Sequence, residues 1–165
     1  MIKYLLLLFA LSVSAADNQY LSTILVGDGS GLTNNVKFIW SGNTGGALVG
    51  ANVTCFYGLN GNSATNVVTS DAKAVTRNVV TRTTVLQNLY VVRSVAPGNT
   101  FTDTYTIMTN GVASSITCTI SGASATSGSD TTHTETIVAG TEVGIKIVTV
   151  ASETTGKHSW SLEGK

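Results

Sequence analysis

The chain has 165 residues, of which 42% are hydrophobic and 11% charged, and its nine basic and nine acidic side chains leave a formal net charge of zero. That balance argues against the clustered Lys and Arg of an electrostatic nucleic-acid footprint, and no nucleic-acid partner is expected. The abundance of apolar and β-branched residues likewise sets the chain apart from those too polar to bury a core.

Lys3 precedes an apolar run, Tyr4 to Leu11, followed by Ser12-Val13-Ser14-Ala15-Ala16-Asp17. A basic start, a short apolar stretch and small residues ahead of a polar one read as a secretory signal peptide over residues 1–16, cleaved after Ala15 or after Ala16. The run is shorter than the roughly 20 apolar residues that cross a bilayer. The mature chain is therefore expected to lack a membrane span and to be secreted or held on an extracellular surface. What remains suffices for one domain burying roughly 68–70% of its unfolded surface.

Residues 17–50 read as an N-terminal strand and Gly-rich linker region. Gly27-Asp28-Gly29-Ser30-Gly31-Leu32-Thr33-Asn34 reads as a flexible turn, Val36-Lys37-Phe38-Ile39-Trp40 as a strand, and Ser41 to Gly50 as a Gly-rich loop. Residues 51–165 read as strands and turns, expected to form one domain with the preceding region. Asn52-Val53-Thr54 is an N-glycosylation sequon, meaningful only if a eukaryotic cell makes the chain. Around Ser70 to Thr76 nothing supports more than a helical turn.

Val85 to Arg93 alternates with Leu89 and Val91 on one face and Tyr90 and Val92 on the other. Both faces are apolar, which predicts a strand covered on two sides. Ala96-Pro97-Gly98-Asn99 is a turn, with Pro97 setting φ and Gly98 free to go positive. Asn110-Gly111 separates Thr104–Thr109 from Val112–Ile120 and tolerates the positive φ angles of a type I′ turn, so a hairpin is predicted. Ser121 to Asp130 reads as a small-residue loop and Ala139-Gly140 as a tight turn. In Val143 to Val150, Val143, Ile145 and Ile147 are expected to face a core and Lys146 water. Short strands at this spacing predict an all-β, antiparallel β-sandwich of jelly-roll type.

Two cysteines occur, Cys55 and Cys118, each within an alternating apolar segment. A disulfide between them would close a loop of about 63 residues and contribute about 4 kcal/mol. Free cysteine is also a common small core residue, and two buried thiols are the favoured reading.

His133 and His158 are the only histidines, and neither stands at metal-ligand spacing from a cysteine or a second histidine. No G-x-S-x-G elbow occurs. The Gly27–Gly31 run fails the dinucleotide fingerprint, since Leu32 stands where a third glycine belongs, and lacks the alternating oxygen ligands of a calcium loop. The carboxylates are dispersed, with no local pair of the kind that flanks a glycosidic bond. No catalytic residue, metal ligand or cofactor site is expected. Tyr57, Tyr90 and Trp160 are candidates for contact or core, with core favoured for each.

One ordered series stands out: Thr84–Val91, Ala96–Asn99, Thr106–Val112, Ile116–Gly122, Thr126–His133, Val138–Glu142 and Trp160–Glu163. Over about residues 84–163 it resembles a group of jelly-roll modules common in bacteriophage and metagenomic proteins. Gly27–Asn34 is separately similar to a repeat of phage tail-fibre stalks and of long secreted bacterial proteins. The resemblance implies a virion-surface or fibre-like protein and supplies no catalytic residues. The signal peptide departs from that pattern and favours a secreted cell-surface relative or a domesticated phage module. The resulting expectation is a non-catalytic structural or recognition protein, a homo-oligomer with a trimer favoured, contacting a surface glycan or protein. The alternatives are a secreted carbohydrate-binding module or carbohydrate-active enzyme, and a self-assembling matrix or filament subunit.

Overall fold

The computed structural model describes residues 38–45, 48–61, 69–71, 76–150 and 154–165. The signal segment, Gly27–Asn34 and most of Ser70–Thr76 lie outside them. The alternating segments form ten strands: β1 (Phe38–Asn43), β2 (Thr54–Gly58), β3 (Asn78–Val79), β4 (Thr84–Arg93), β5 (Thr102–Thr109), β6 (Val112–Ser121), β7 (Ser127–Asp130), β8 (Glu135–Ile137), β9 (Glu142–Val148) and β10 (His158–Gly164).

They make two antiparallel sheets. One runs β1-β10-β4-β7, with β8 continuing beside β4 beyond β7; the other runs β2-β9-β5-β6, with β3 continuing beside β9 beyond β2. All pairings are antiparallel, so the chain forms a β-sandwich. Its pairs are nested. β5 and β6 form the innermost hairpin, β4 with β7 and β8 encloses it, β2 and β3 with β9 come next, and β1 with β10 is outermost.

The innermost hairpin turns where its sequence predicts, at Asn110 (φ 50°) and Gly111 (φ 84°), both in the left-handed region a type I′ turn demands. Gly98 (φ 97°) and Gly140 (φ 88°) carry the other two expected turns. Val143, Ile145 and Ile147 of β9 point inward and are fully buried. Facing them from the other sheet are Leu86, Leu89, Val91, Trp160 and Leu162. Burial of each such side chain is worth about 1.5–3 kcal/mol.

Cys55 and Cys118 are free and buried. The register explains why no disulfide joins them: Cys55 pairs with Ile147, Ile147 with Tyr105, and Tyr105 with Cys118. The two thiols thus occupy one row of one sheet with two strands between them. Three spacings of about 4.8 Å separate them, far beyond the roughly 7 Å limit between bridged Cα atoms.

Three expectations need correction. Ser41–Asn43, read as loop, extends β1 and pairs with Ser159–Ser161 of β10. Ser127–Asp130, also read as loop, is the edge strand β7, paired with Leu89–Val92. Its small residues have weak β-propensity, but the site demands smallness, because a Cβ on Gly128 would run into the Thr119 carbonyl of β6. Finally, β4 is covered on one side only. Leu89 and Val91 are buried, whereas Tyr90 is 51% and Val92 53% exposed. Apolar character on both faces of a strand does not distinguish a second covering layer from an open face that displays apolar groups.

Candidate ligand-binding face

The exposed face of the β1-β10-β4-β7 sheet carries three ladder rows. These are Ile39–Glu163–Gln87, Ser41–Ser161–Tyr90–Ser129 and Asn43–Ser159–Val92–Ser127. Tyr90 therefore stands in a row of three serines, with Val92 and two further serines in the next. No Lys or Arg occupies any of these positions and Glu163 is their single charge, while the next row on the same face sets Lys165 against Val85. Short side chains around one aromatic ring leave that ring half exposed.

A bulge shapes the end of this face. The β4–β10 register shifts between Ser161 and Glu163, so that Asn88 and Leu89 stand opposite the single residue Leu162. Asn88 takes φ 53°, a left-handed conformation that asparagine tolerates better than most residues. The shift aims its side-chain amide at Glu163: Asn88 Nδ2 donates to Glu163 Oε2 at 2.8 Å, and Gln87 Nε2 donates to Oε1 at 3.1 Å. The carboxylate is thus held in a fixed orientation beside Tyr90. Ile39, Asn88, Tyr90, Ser161 and Glu163 line a shallow cleft of about 100 Å³. A larger opening of about 250 Å³ adjoins it across Ile39 and is lined by Trp40, Val79, Thr81, Arg82 and Thr84.

A second polar group lies between the sheets. Arg93 and His158 reach in from one sheet, Asp103 and Tyr105 from the other, and all four are 0–1% exposed. Arg93 Nη1 sits 3.1 Å from Asp103 Oδ2, and Arg93 Nη2 also donates to the Thr154 carbonyl. Tyr105 Oη lies 2.6 Å from His158 Nδ1 and 3.3 Å from Asp103 Oδ2. The arrangement that satisfies both tyrosine contacts has His158 Nδ1–H donating to Tyr105 and the Tyr105 hydroxyl donating to Asp103. His158 Nε2, which has no hydrogen-bond partner, is then a bare acceptor rather than an orphaned N–H. Burial, then the charge of Asp103, pushes the Tyr105 phenol far above its ordinary value, so it remains a donor. At this depth the quartet meets no solvent, and its evident role is to pin one sheet to the other.

Burial lowers the His158 pKa from 6.5 to about 4, with Asp103 opposing and Arg93 adding to the shift. The unfolded chain therefore binds a proton between about pH 4 and 6.5 that the native chain does not. Stability contributed by this residue is complete above about pH 6.5 and is lost as the pH falls to about 4, by about 3 kcal/mol in total. Urea midpoints measured from pH 7.5 to 4.5 are expected to show this slope, and His158→Gln is expected to flatten it. Asp130 acts below that window. Burial raises its pKa, but the backbone N–H groups of Thr117, His133 and Thr132 outweigh this and hold it well below the usual carboxylate range.

The remaining residues singled out by sequence have structural places. His133 is exposed, and its Nδ1 lies 2.9 Å from Asp130 Oδ2. Among the described residues no group of three or more His, Cys, Asp and Glu could hold a metal ion. Arg77 brings Asp71 and Glu142 together, each within 2.6 Å of its guanidinium, so this carboxylate pair is already bridged by a cation. Tyr57 and Trp160 belong to the core, their ring centroids 5.6 Å apart, and Tyr90 alone of the three aromatic candidates is exposed. The buried quartet escaped the sequence reading, although a signal was present. Arg93 is in phase with Leu89 and Val91, Asp103 with Tyr105 and Ile107, and His158 with Trp160 and Leu162. A polar residue in phase with a core face marks a buried polar site.

No known protein family and no curated protein matches the chain.

Proposed function

We propose that the chain is a non-catalytic recognition module of jelly-roll topology, displayed outside the cell or on a virion surface, that binds through the Tyr90 face. Support for the topology comes from the nested pairing. With β2 and β3 counted as one interrupted strand, and β7 and β8 as another, eight strands form a long hairpin wound into two four-stranded sheets. The observation that carries the function is a half-exposed tyrosine at the centre of a serine-lined sheet face with a fixed carboxylate beside it. An aromatic ring with a few placed polar groups is the usual make-up of a small binding site. Oligomerisation, with a trimer favoured, would cover the edges that β1 and β6 leave open.

The test is a glycan-array and cell-surface binding screen with the wild-type chain and Tyr90→Ala. Binding by the wild type that falls at least tenfold in the variant, with an unchanged unfolding midpoint, is the expected result. Binding that survives the substitution would move the site away from this face.

A further inference from the structure

We infer that the buried quartet is an acid-released latch: protonation of His158 opens one end of the sandwich, freeing residues 94–97 and 154–157 while the two sheets stay folded. The movement belongs to this chain alone and is independent of what Tyr90 binds. Position is the first observation that carries it. Arg93 is the last residue of β4, His158 the first of β10 and Asp103 the second of β5, so the quartet lies where strands begin or end. The chain just beyond them is tied to itself and to the quartet. Ser94 N–H donates to the Lys157 carbonyl, Lys157 N–H to Ser94 Oγ and Thr154 N–H to the Pro97 carbonyl, each at 2.9 Å. Arg93 Nη2 donates to the Thr154 carbonyl, and a Cβ on Gly156 would stand 2.9 Å from Arg93 Nε. The guanidinium thus meets Asp103 on one side and underpins residues 154–157 on the other. Gly156 also bridges to Val49, a pair that the opening would break. Ser94, Val95, Thr154, Thr155 and Lys157 are exposed, so their release uncovers little core, as local opening requires.

Charge is the second observation. With His158 neutral, the quartet holds one cation, Arg93, and one anion, Asp103. Among the described residues, the charged and titratable groups facing His158 are Arg93 from its own sheet and Asp103 and Tyr105 from the other. On the β1 side Thr44 Oγ1 accepts the His158 backbone N–H. Cys118 pairs with Tyr105, and burial, then the charge of Asp130, pushes its thiol up to about 12, so it stays neutral. A proton on His158 therefore sets two cations against one carboxylate in a space closed to solvent. An uncompensated buried charge is costly, and contact with water relieves it. The third observation is where that proton goes. Nδ1 is engaged with Tyr105 at 2.6 Å, which leaves Nε2, and Nε2 has no hydrogen-bond partner. The imidazolium thus adds a buried N–H without an acceptor to the excess charge. Both penalties end when the ring reaches water, and the residues resting on Arg93 are the cover that stands in between.

The test is amide hydrogen exchange of the full chain at pH 7.5 and pH 5, corrected for the intrinsic pH dependence of exchange and repeated in low urea. Burial holds the His158 pKa at about 4 in the closed form, against 6.5 once the ring is in water. The closed form is therefore favoured above about pH 6.5 and loses ground as the pH falls toward 4, and the open form becomes about 30-fold more populated at pH 5 than at pH 7.5. The amides of Ser94, Thr154, Gly156 and Lys157 are expected to lose protection by that factor, with the small urea dependence of a local opening. Those of β5 and β6 are expected to keep the steep urea dependence of global unfolding. His158→Gln should remove the pH response at the four amides, and His133→Gln, which changes the exposed histidine, should leave it intact. Unchanged protection between the two pH values would overturn the latch. So would a urea dependence at the four amides as steep as that of β5 and β6, because this end would then open only when the whole sandwich unfolds. A response that survives His158→Gln, or disappears with His133→Gln, would place the titrating group elsewhere and overturn it as well.

Discussion

Asp103→Ala is expected to destabilise the sandwich by about 3–5 kcal/mol. The substitution removes the carboxylate that faces Arg93 at 3.1 Å while leaving the guanidinium fully buried. It also takes the acceptor from the Tyr105 hydroxyl, so the hydrogen-bonded run from His158 through Tyr105 loses its end. The bond from Arg93 to the Thr154 carbonyl persists but does not neutralise the charge. Breaking a buried ion pair by deleting one partner is costly because the other charge stays behind, whereas replacing both partners by apolar residues of similar volume is often neutral. The double substitution Arg93→Met, Asp103→Leu is therefore expected to recover most of the loss. Urea denaturation at pH 7 measures both, with a lower midpoint and an unchanged slope expected for Asp103→Ala. A loss below about 1 kcal/mol would show that the quartet does not pin the sheets together.

Trp160→Ala is expected to cost about 3–5 kcal/mol. The indole is 3% exposed, packs on the Tyr57 ring across the sandwich and donates its Nε1–H to the Leu59 carbonyl at 2.9 Å. Trp160 lies opposite Gly42 on one side and Val91 on the other, with Gly128 beyond Val91. Main chain closes over both glycines, Leu59 and Gly61 over Gly42 and the Thr119 carbonyl over Gly128, and fixed backbone of this kind does not readily move in to fill the space if the indole goes. Trp160→Phe keeps most of the volume and loses the hydrogen bond, so a smaller loss of about 1–3 kcal/mol is expected. Thermal unfolding followed by circular dichroism orders the two variants, and equal losses would mean that the hydrogen bond, not the volume, carries the effect.

Local chemistry accounts for what was legible in the sequence. The β5–β6 hairpin could be read because two adjacent residues, Asn110 and Gly111, fix its turn, and β9 could be read because Val143, Ile145 and Ile147 alternate with Lys146. What could not be read depends on distant residues. β7 looks like a loop until Gly128 is seen against the Thr119 carbonyl, and the pairing of β1 with β10 joins residues more than a hundred positions apart. The candidate face was missed for a related reason. Tyr90 and Val92 announce an apolar side of β4, but only the assembled sheet shows that no layer covers it and that serines from three other strands surround the ring. Glu163 acquires meaning only through the Asn88 bulge, a backbone feature that the β-rich segment Val85–Arg93 conceals.

The nesting of the strands has a mechanical consequence. Phe38 pairs with Gly164 in the outermost pair, so the two ends of the sandwich sit side by side on neighbouring strands. Antiparallel ladder bonds run perpendicular to the strands. A tension applied between these two residues would fall on one rung at a time and peel β1 from β10. A pull on residue 38 resisted at Tyr90 would instead load the rungs between β1, β10 and β4 together, so the same sandwich is weak in one pulling direction and strong in the other.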